Sequence, residues 1–161
     1  MREATFNALH SLDALEGATV LDLFAGSGAL GIEALSRGAA HATFIDSDRR
    51  AVRAIEANLH ATGLAERATV NAVDAERFLD RSRASDERWD LALLDPPYAY
   101  EGWDALLARL PAAVAVVESD RAIEAPSGWG VVRQRRYGST LVTVLRSTSS
   151  IGPVTAPSPP E

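Results

Sequence analysis

The sequence contains no cysteine and no lysine. The lack of cysteine excludes disulfides and thiolate metal sites, and the lack of lysine excludes a lysine nucleophile or a P-loop lysine. No apolar run approaches the roughly 18 residues of a membrane-spanning helix. The first residues also lack the basic-then-apolar pattern of a signal peptide. We therefore expect a cytoplasmic protein without a membrane partner.

The length and charge of the chain narrow its class further. Its 161 residues correspond to one globular domain, with or without a tail. The net charge of -6 argues mildly against a nucleic-acid binder that acts through charge alone, because phosphate contacts need clustered cations. This balance is still compatible with an enzyme that carries a local basic patch.

Short apolar segments alternate with segments of helical periodicity. A helix is predicted over residues 48–62, with Asp48 as its N-cap and Gly63 as its stop, and another over 29–37, ending at Gly38. Strands that are apolar on both faces are typical of a parallel sheet covered by helices. The predicted strands are residues 19–23, 42–45, 68–70, 91–94 and 114–117.

The pattern changes after Ser127, where apolar segments follow one another without a helix. Gly138-Ser139 predicts a hairpin turn between the last two strands. The doubly wound α/β sheet should therefore end in an antiparallel pair. We expect one domain over residues 1–146, followed by a disordered Ser/Pro-rich tail over residues 147–161.

A glycine-rich turn follows the first predicted strand and opens a helix. Gly26, Gly28 and Gly31 form a G-x-G-x-x-G pattern, which lets a ligand approach the backbone at a helix N-terminus. Asp46 ends the second strand, where Rossmann folds place a ribose-binding carboxylate. The glycine-rich turn and Asp46 together fit either of two cofactors, a dinucleotide or S-adenosylmethionine (SAM).

Acidic residues around the turn favour SAM. Asp22 and Phe24 are expected at the mouth of the turn, where a carboxylate would repel a pyrophosphate but suits the amino group and sulfonium of SAM. Asp74 follows the third strand and can accept a hydrogen bond from an adenine amino group. The predicted cofactor-binding residues are Asp22, Phe24, Ala25, Gly26, Ser27, Gly28, Asp46, Ser47, Asp74 and Ala75.

The fourth strand runs into Asp95-Pro96-Pro97-Tyr98, at the strand end where open α/β sheets bind ligands. Asp95 and the Pro96 carbonyl offer two hydrogen-bond acceptors, and Tyr98 offers a face on which a base stacks. Two acceptors can orient a poorly nucleophilic planar amino group toward a methyl donor and stabilise its developing charge. We predict that these four residues are catalytic and that no metal takes part.

These motifs resemble class I SAM-dependent amino-methyltransferases. Residues 2–7, 30–39 and 137–138 more closely resemble the bacterial family that methylates N2 of a guanine in 16S ribosomal RNA, and the resemblance spans residues 1–146. It implies a Rossmann-like, seven-stranded, mostly parallel sheet with helices on both faces. It also implies SAM as cofactor, 16S rRNA or the assembling small ribosomal subunit as partner, and a monomer.

The resemblance implies a ribose contact for Asp46, an adenine contact for Asp74 and target-amine orientation for Asp95 to Tyr98. The chain departs from the family in carrying Asp46 where Glu is usual. It also has no basic, glycine-containing segment before its first helix, for which a misassigned start codon is one hypothesis. The cationic candidates that remain are Arg133, Arg135 and Arg136.

Three other functions remain open at the level of sequence. The same acceptor pattern fits an adenine-N6 or protein glutamine methyltransferase. A SAM-binding module without activity is a second alternative. An NAD-dependent oxidoreductase is the third, although the Asp-Pro-Pro-Tyr motif has no role in hydride transfer.

Overall fold

The computed structural model describes residues 2–97 and 99–148, in which five α-helices alternate with the first five of seven strands, and a short 3-10 helix (Ala65–Arg67) precedes the third strand. The helices are α1 (Arg2–Ser11), α2 (Ala29–Ser36), α3 (Arg49–Thr62), α4 (Ala75–Ser85) and α5 (Trp103–Arg109). The strands are β1 (Thr19–Leu23), β2 (His41–Asp46), β3 (Ala68–Ala72), β4 (Trp89–Leu94), β5 (Ala112–Ser119), β6 (Trp129–Tyr137) and β7 (Thr140–Ser147). All five apolar segments predicted as strands are strands, each within two residues of its expected ends.

The strands form one sheet in the order β3-β2-β1-β4-β5-β7-β6. Strands β1 to β5 are parallel, and β7 lies antiparallel between β5 and β6. The predicted class I methyltransferase fold with a C-terminal antiparallel hairpin is therefore confirmed. The strand order reverses between β1 and β4, and open sheets bind ligands at such a switch point.

Helices cover both faces of the sheet, as predicted. The alternation of side chains along each strand sends Val20 and Phe44 to the face under α1, α2 and α3. It sends their neighbours Leu21 and Ile45 to the opposite face, under α4 and α5. One apolar core on each face of the sheet holds the strand ends in fixed positions.

Local sequence signals set the ends of the helices and the turn of the hairpin. The Asp48 carboxylate accepts a hydrogen bond from the Arg50 N–H at 2.8 Å, which caps the start of α3. Gly63 ends that helix with φ 71°, and Gly138 turns the hairpin with φ 60°. Both glycines adopt the left-handed conformation that other residues disfavour.

Two parts of the chain differ from the sequence expectations. Strand β3 was predicted to be covered by helices, but it is the edge of the sheet, and Thr69, Asn71 and Ala72 are exposed. Strand β7 runs through Ser147, one residue past the expected domain boundary. Residues 149–161, the rest of the predicted tail, lie outside the described residues. In the part of the chain that is described, no helix is long and apolar enough to cross a membrane.

Candidate active site

The glycine-rich turn connects β1 to α2 in a conformation that requires glycine. Gly26 and Gly28 have φ values of 59° and 82°, in the left-handed region. Gly31 has an ordinary φ, but a Cβ there would lie 2.3 Å from the ring of Phe44. The first two glycines therefore shape the turn, and the third lets α2 pack closely against β2.

Asp22 was expected at the mouth of this turn, but it lies buried behind the turn and contacts α2. Its carboxylate is 1% exposed and accepts a hydrogen bond from the Gly31 N–H at 3.0 Å. Burial raises the pKa of Asp22 well above its ordinary value, although the Gly31 hydrogen bond opposes the shift. Its place in the strand explains this position, because Asp22 points to the face that α2 covers.

Asp46 connects the turn to the end of β2. One of its carboxylate oxygens accepts from the Gly26 N–H at 2.9 Å, and the other accepts from the Asp48 N–H at 2.9 Å. Each oxygen of a carboxylate has two lone pairs, so both retain the capacity for a further hydrogen bond. Asp46 thus holds two loops in place and still offers acceptors to a ligand.

A cavity of about 500 Å³ opens at the carboxyl ends of β1, β2 and β4. Its lining comprises Phe24, Ile45, Asp46, Ser47, Asp74, Ala75, Asp95, Pro96, Pro97 and Tyr100. The structure therefore brings five of the ten predicted cofactor residues together with three residues of the predicted catalytic motif. The other five cofactor candidates do not line this cavity; they are Asp22, Ala25, Gly26, Ser27 and Gly28.

Three of the catalytic candidates, Asp95, Pro96 and Pro97, directly follow β4. The Pro97 carbonyl accepts a hydrogen bond from the Tyr100 N–H at 3.2 Å, which closes a turn. The Asp95 carboxylate and the Pro96 carbonyl have no hydrogen-bond donor among residues 2–97 and 99–148. Partial withdrawal from water raises the pKa of Asp95. Two acceptors are therefore available to a ligand, and Tyr98 lies outside the described residues.

Tyr100 is a cavity residue that the sequence reasoning missed. Its ring packs edge-on against Phe24 and Trp103, with ring centres 5.5 Å and 5.1 Å apart. Its hydroxyl is buried without a partner among the described residues. Burial, and then the charge of Glu76, raises the pKa of this hydroxyl. The only signal for Tyr100 in the sequence is its position two residues after Tyr98. The stacking role had been assigned to Tyr98 instead.

Asp74 and Glu118 are two further acids at the carboxyl ends of the parallel strands. Asp74 caps α4, accepting from the Arg77 N–H at 3.4 Å, and also lines the cavity. Glu118 lies one strand beyond Asp95, near the end of β5, and is half-buried. Burial and the neighbouring Asp95 raise the pKa of Glu118 to about 7. The described residues contain no cluster of three or more side chains suited to a metal ion.

Comparison with known proteins gives matches along nearly the whole chain. The family model described as conserved hypothetical protein 95 matches residues 1–146. The Bacillus subtilis (strain 168) protein YlbH, provisionally named an rRNA methyltransferase, is 36% identical over 156 residues, covering 91% of this chain and 84% of YlbH. "Ribosomal RNA small subunit methyltransferase D" of Haemophilus influenzae is 29% identical over 148 residues, 86% of this chain and 75% of that protein.

A solved structure and a more distant relative extend the comparison. A conserved hypothetical protein from Streptococcus pyogenes superposes with a TM-score of 0.79 at 36% identity, over 91% of this chain and 95% of that one. The "tRNA1(Val) (adenine(37)-N6)-methyltransferase" of Shewanella baltica (strain OS155 / ATCC BAA-1091) is 27% identical over 149 residues. That match covers 88% of this chain and 58% of the relative.

Proposed function

Because the chain belongs to the family described as conserved hypothetical protein 95, we propose that it is a SAM-dependent rRNA methyltransferase that modifies the N2 amino group of a guanine in 16S rRNA. One observation carries the proposal. Five of the residues predicted to bind the cofactor and three of those predicted to orient the target amine line the same cavity at the switch point of the sheet. The names of the two rRNA methyltransferase relatives support the substrate class.

The cavity suits the adenosine part of SAM in size and in chemistry. A volume of about 500 Å³ lies within the usual range for small-molecule sites. Phe24, Ile45 and Ala75 offer apolar contacts for a purine ring. The Asp46 and Asp74 carboxylates offer acceptors for ribose hydroxyls and for an adenine amino group. When bound, the cofactor supplies an electrophilic methyl group.

The chain's own residues then act on the amine that receives the methyl group. A guanine amino group is a poor nucleophile because its lone pair is delocalised into the ring. Hydrogen bonds from its two hydrogens to the Asp95 carboxylate and the Pro96 carbonyl hold this nitrogen in the orientation that attack requires. Asp95 also stabilises the positive charge that develops on the nitrogen. Tyr98 is proposed to stack on the base.

An adenine N6 amino group is the second candidate target. It presents the same two hydrogens on a planar nitrogen, so Asp95 and Pro96 do not distinguish the two bases by themselves. The similarity to an adenine-N6 methyltransferase acting on tRNA favours keeping this candidate. The two candidates yield different methylated nucleosides and can therefore be separated by product analysis.

The purified protein can be tested directly with SAM and small-subunit rRNA. Nucleoside mass spectrometry should find N2-methylguanosine in the product and in cellular small-subunit rRNA, and deletion of the gene should remove it from the cellular rRNA. N6-methyladenosine would instead support the second candidate, and no transfer to any RNA would contradict both. Calorimetry should detect binding of SAM and S-adenosylhomocysteine but not of NAD.

The Asp95→Ala variant tests the role of the acceptor motif. We expect SAM affinity to be retained and turnover to fall by about 10²–10³, the usual cost of losing one oriented electrostatic partner. Asp104→Ala, which removes an exposed acid of α5 outside the cavity, is the matched control and should behave as the wild type. Normal turnover in Asp95→Ala would contradict the proposed orientation of the amine.

A further inference from the structure

The C-terminal hairpin of β6 and β7 carries charge of a single sign. Residues 129–147 contain four arginines and no acidic residue. Because the whole chain has a net charge of -6, the rest of the chain carries -10. The hairpin arginines form no ion pair within the part of the chain that the structure describes. They are Arg133, Arg135, Arg136 and Arg146.

Two of these arginines lie on the same face of the edge strand. Arg133 pairs with Val144, and Arg135 pairs with Val142. Both valines point to the core beneath α1, so Arg133 and Arg135 lie on the α1 side of β6, where they border a small crevice against that helix. Arg136 follows on the opposite face. The two arginines therefore form one cationic strip along the side of the sheet that α1 covers.

The pairing register places Arg135 level with the carboxyl ends of β4 and β5, where the catalytic candidates lie. Arg135 pairs with Val142, and Val142 pairs with Glu118 in the adjacent strand. Glu118 is in turn one strand away from Asp95. Three steps of about 4.8 Å between strands separate the Asp95 and Arg135 backbones by roughly 14 Å.

We propose that Arg133 and Arg135 bind the sugar–phosphate backbone of the substrate RNA a few nucleotides from the target nucleotide. The inference rests on the proposed function, because it assumes that the target base belongs to RNA. Guanidinium groups bind phosphate oxygens through paired hydrogen bonds, and such contacts position a nucleic acid without reading its sequence. At roughly 3.4 Å per stacked nucleotide, the strip contacts phosphates about four nucleotides from the target.

The charges of the rest of the molecule also favour RNA binding at the hairpin. The charge of Arg2 lowers the pKa of Glu118, so α1 adds a cation that acts at the end of β5. The strongly negative remainder of the chain repels phosphate elsewhere, so local positive charge has a directing effect on encounter. The hairpin is thereby a surface of positive charge on a chain that is otherwise negative overall.

An edge strand can also pair with a second copy of the chain, and β6 exposes Val131 and Val132 by 49% and 42%. A β-bulge between Val131 and Arg133 interrupts the regular ladder at this point. Bulges and edge charges are the devices by which sheets avoid edge-to-edge pairing. The structure therefore favours RNA over a second copy of the chain as the occupant of this surface.

The double variant Arg133→Gln/Arg135→Gln tests the proposal. Its matched control is Arg49→Gln/Arg53→Gln, which makes the same charge change at two exposed positions of α3. Binding of a small-subunit rRNA transcript is measured across a salt series, together with methylation kinetics, SAM affinity and thermal melting. We expect the slope of log affinity against log salt to become shallower by about 1.5 in the hairpin variant and to stay unchanged in the control.

The kinetic measurement separates docking from chemistry. The KM for RNA should rise about tenfold in the hairpin variant, while kcat, SAM affinity and melting temperature stay at their wild-type values. If the wild-type protein methylates RNA and the hairpin variant has the same RNA affinity and the same salt slope as the wild type, the proposed docking surface alone is overturned. A wild type that transfers methyl groups to no RNA would overturn the proposed function and the docking surface together. A change in oligomeric state with an unchanged slope would assign the strand to self-association and overturn the proposal.

Discussion

Replacing Glu118 by Gln should make the protein more stable above neutral pH. In the native state, burial and the adjacent Asp95 raise the pKa of Glu118 from an ordinary value of 4.5 to about 7. The native state therefore favours the protonated acid. The stability that Glu118 contributes is fully present below about pH 4.5 and is lost as the pH rises to about 7, because the unfolded chain ionises first.

The structure sets the size of this effect. A pKa that moves from 4.5 to about 7 corresponds to at most about 3 kcal/mol between the protonated and ionised forms. Glu118 is only half-buried, so solvent screening reduces the effect to about 1–2 kcal/mol. Gln keeps the shape and the polarity of the protonated acid but cannot ionise.

Urea unfolding at pH 5 and pH 8 is the assay. We expect Glu118→Gln to exceed the wild type by about 1–2 kcal/mol in the free energy of unfolding at pH 8 and by less than half of that at pH 5. Glu124→Gln, at an exposed position nearby, controls for the same chemical change. An equal stability difference at both pH values would refute the reasoning, because it would show that the charge of Glu118 is not the cause.

Three further substitutions test the site. Gly31→Ala should cost about 1–3 kcal/mol in thermal unfolding, because the new methyl group meets the ring of Phe44; unchanged stability would mean that α2 can move away at no cost. Asp46→Ala should weaken SAM binding by about 1–3 kcal/mol in calorimetry, since it removes a charged acceptor and frees the Gly26 N–H; equal affinity would exclude Asp46 from the cofactor site. Tyr100→Phe should leave stability unchanged or raise it by up to about 1 kcal/mol, because the hydroxyl has no partner among the described residues; a loss measured by urea unfolding without ligand would mean that the hydroxyl has a stabilising partner.

Local patterns in the sequence predicted most of the fold. The strands at residues 19–23 and 91–94, the cap at Asp48 and the turn at Gly138 depend on neighbouring residues or on short-range periodicity. The glycine-rich turn and the Asp-Pro-Pro motif were likewise recognisable, because both occupy strand ends in a fold whose strand ends converge. The meeting of Phe24, at the start of this turn, with the Asp-Pro-Pro motif in one cavity follows from the parallel strand order rather than from any contact visible in the sequence.

The tertiary structure alone decided which strand forms the edge and which acids line the cavity. Residues 68–70 look like a central strand, yet within residues 2–97 and 99–148 no further strand pairs beyond β3. Asp22 and Asp46 point to the same face of the sheet, but Asp22 lies one residue before the end of β1 and is buried against α2, whereas Asp46 is the last residue of β2 and reaches the cavity. Tyr100 enters the cavity because the turn at Pro97 folds it back onto Phe24. Each outcome depends on packing between segments distant in sequence, which periodicity and local propensity do not encode.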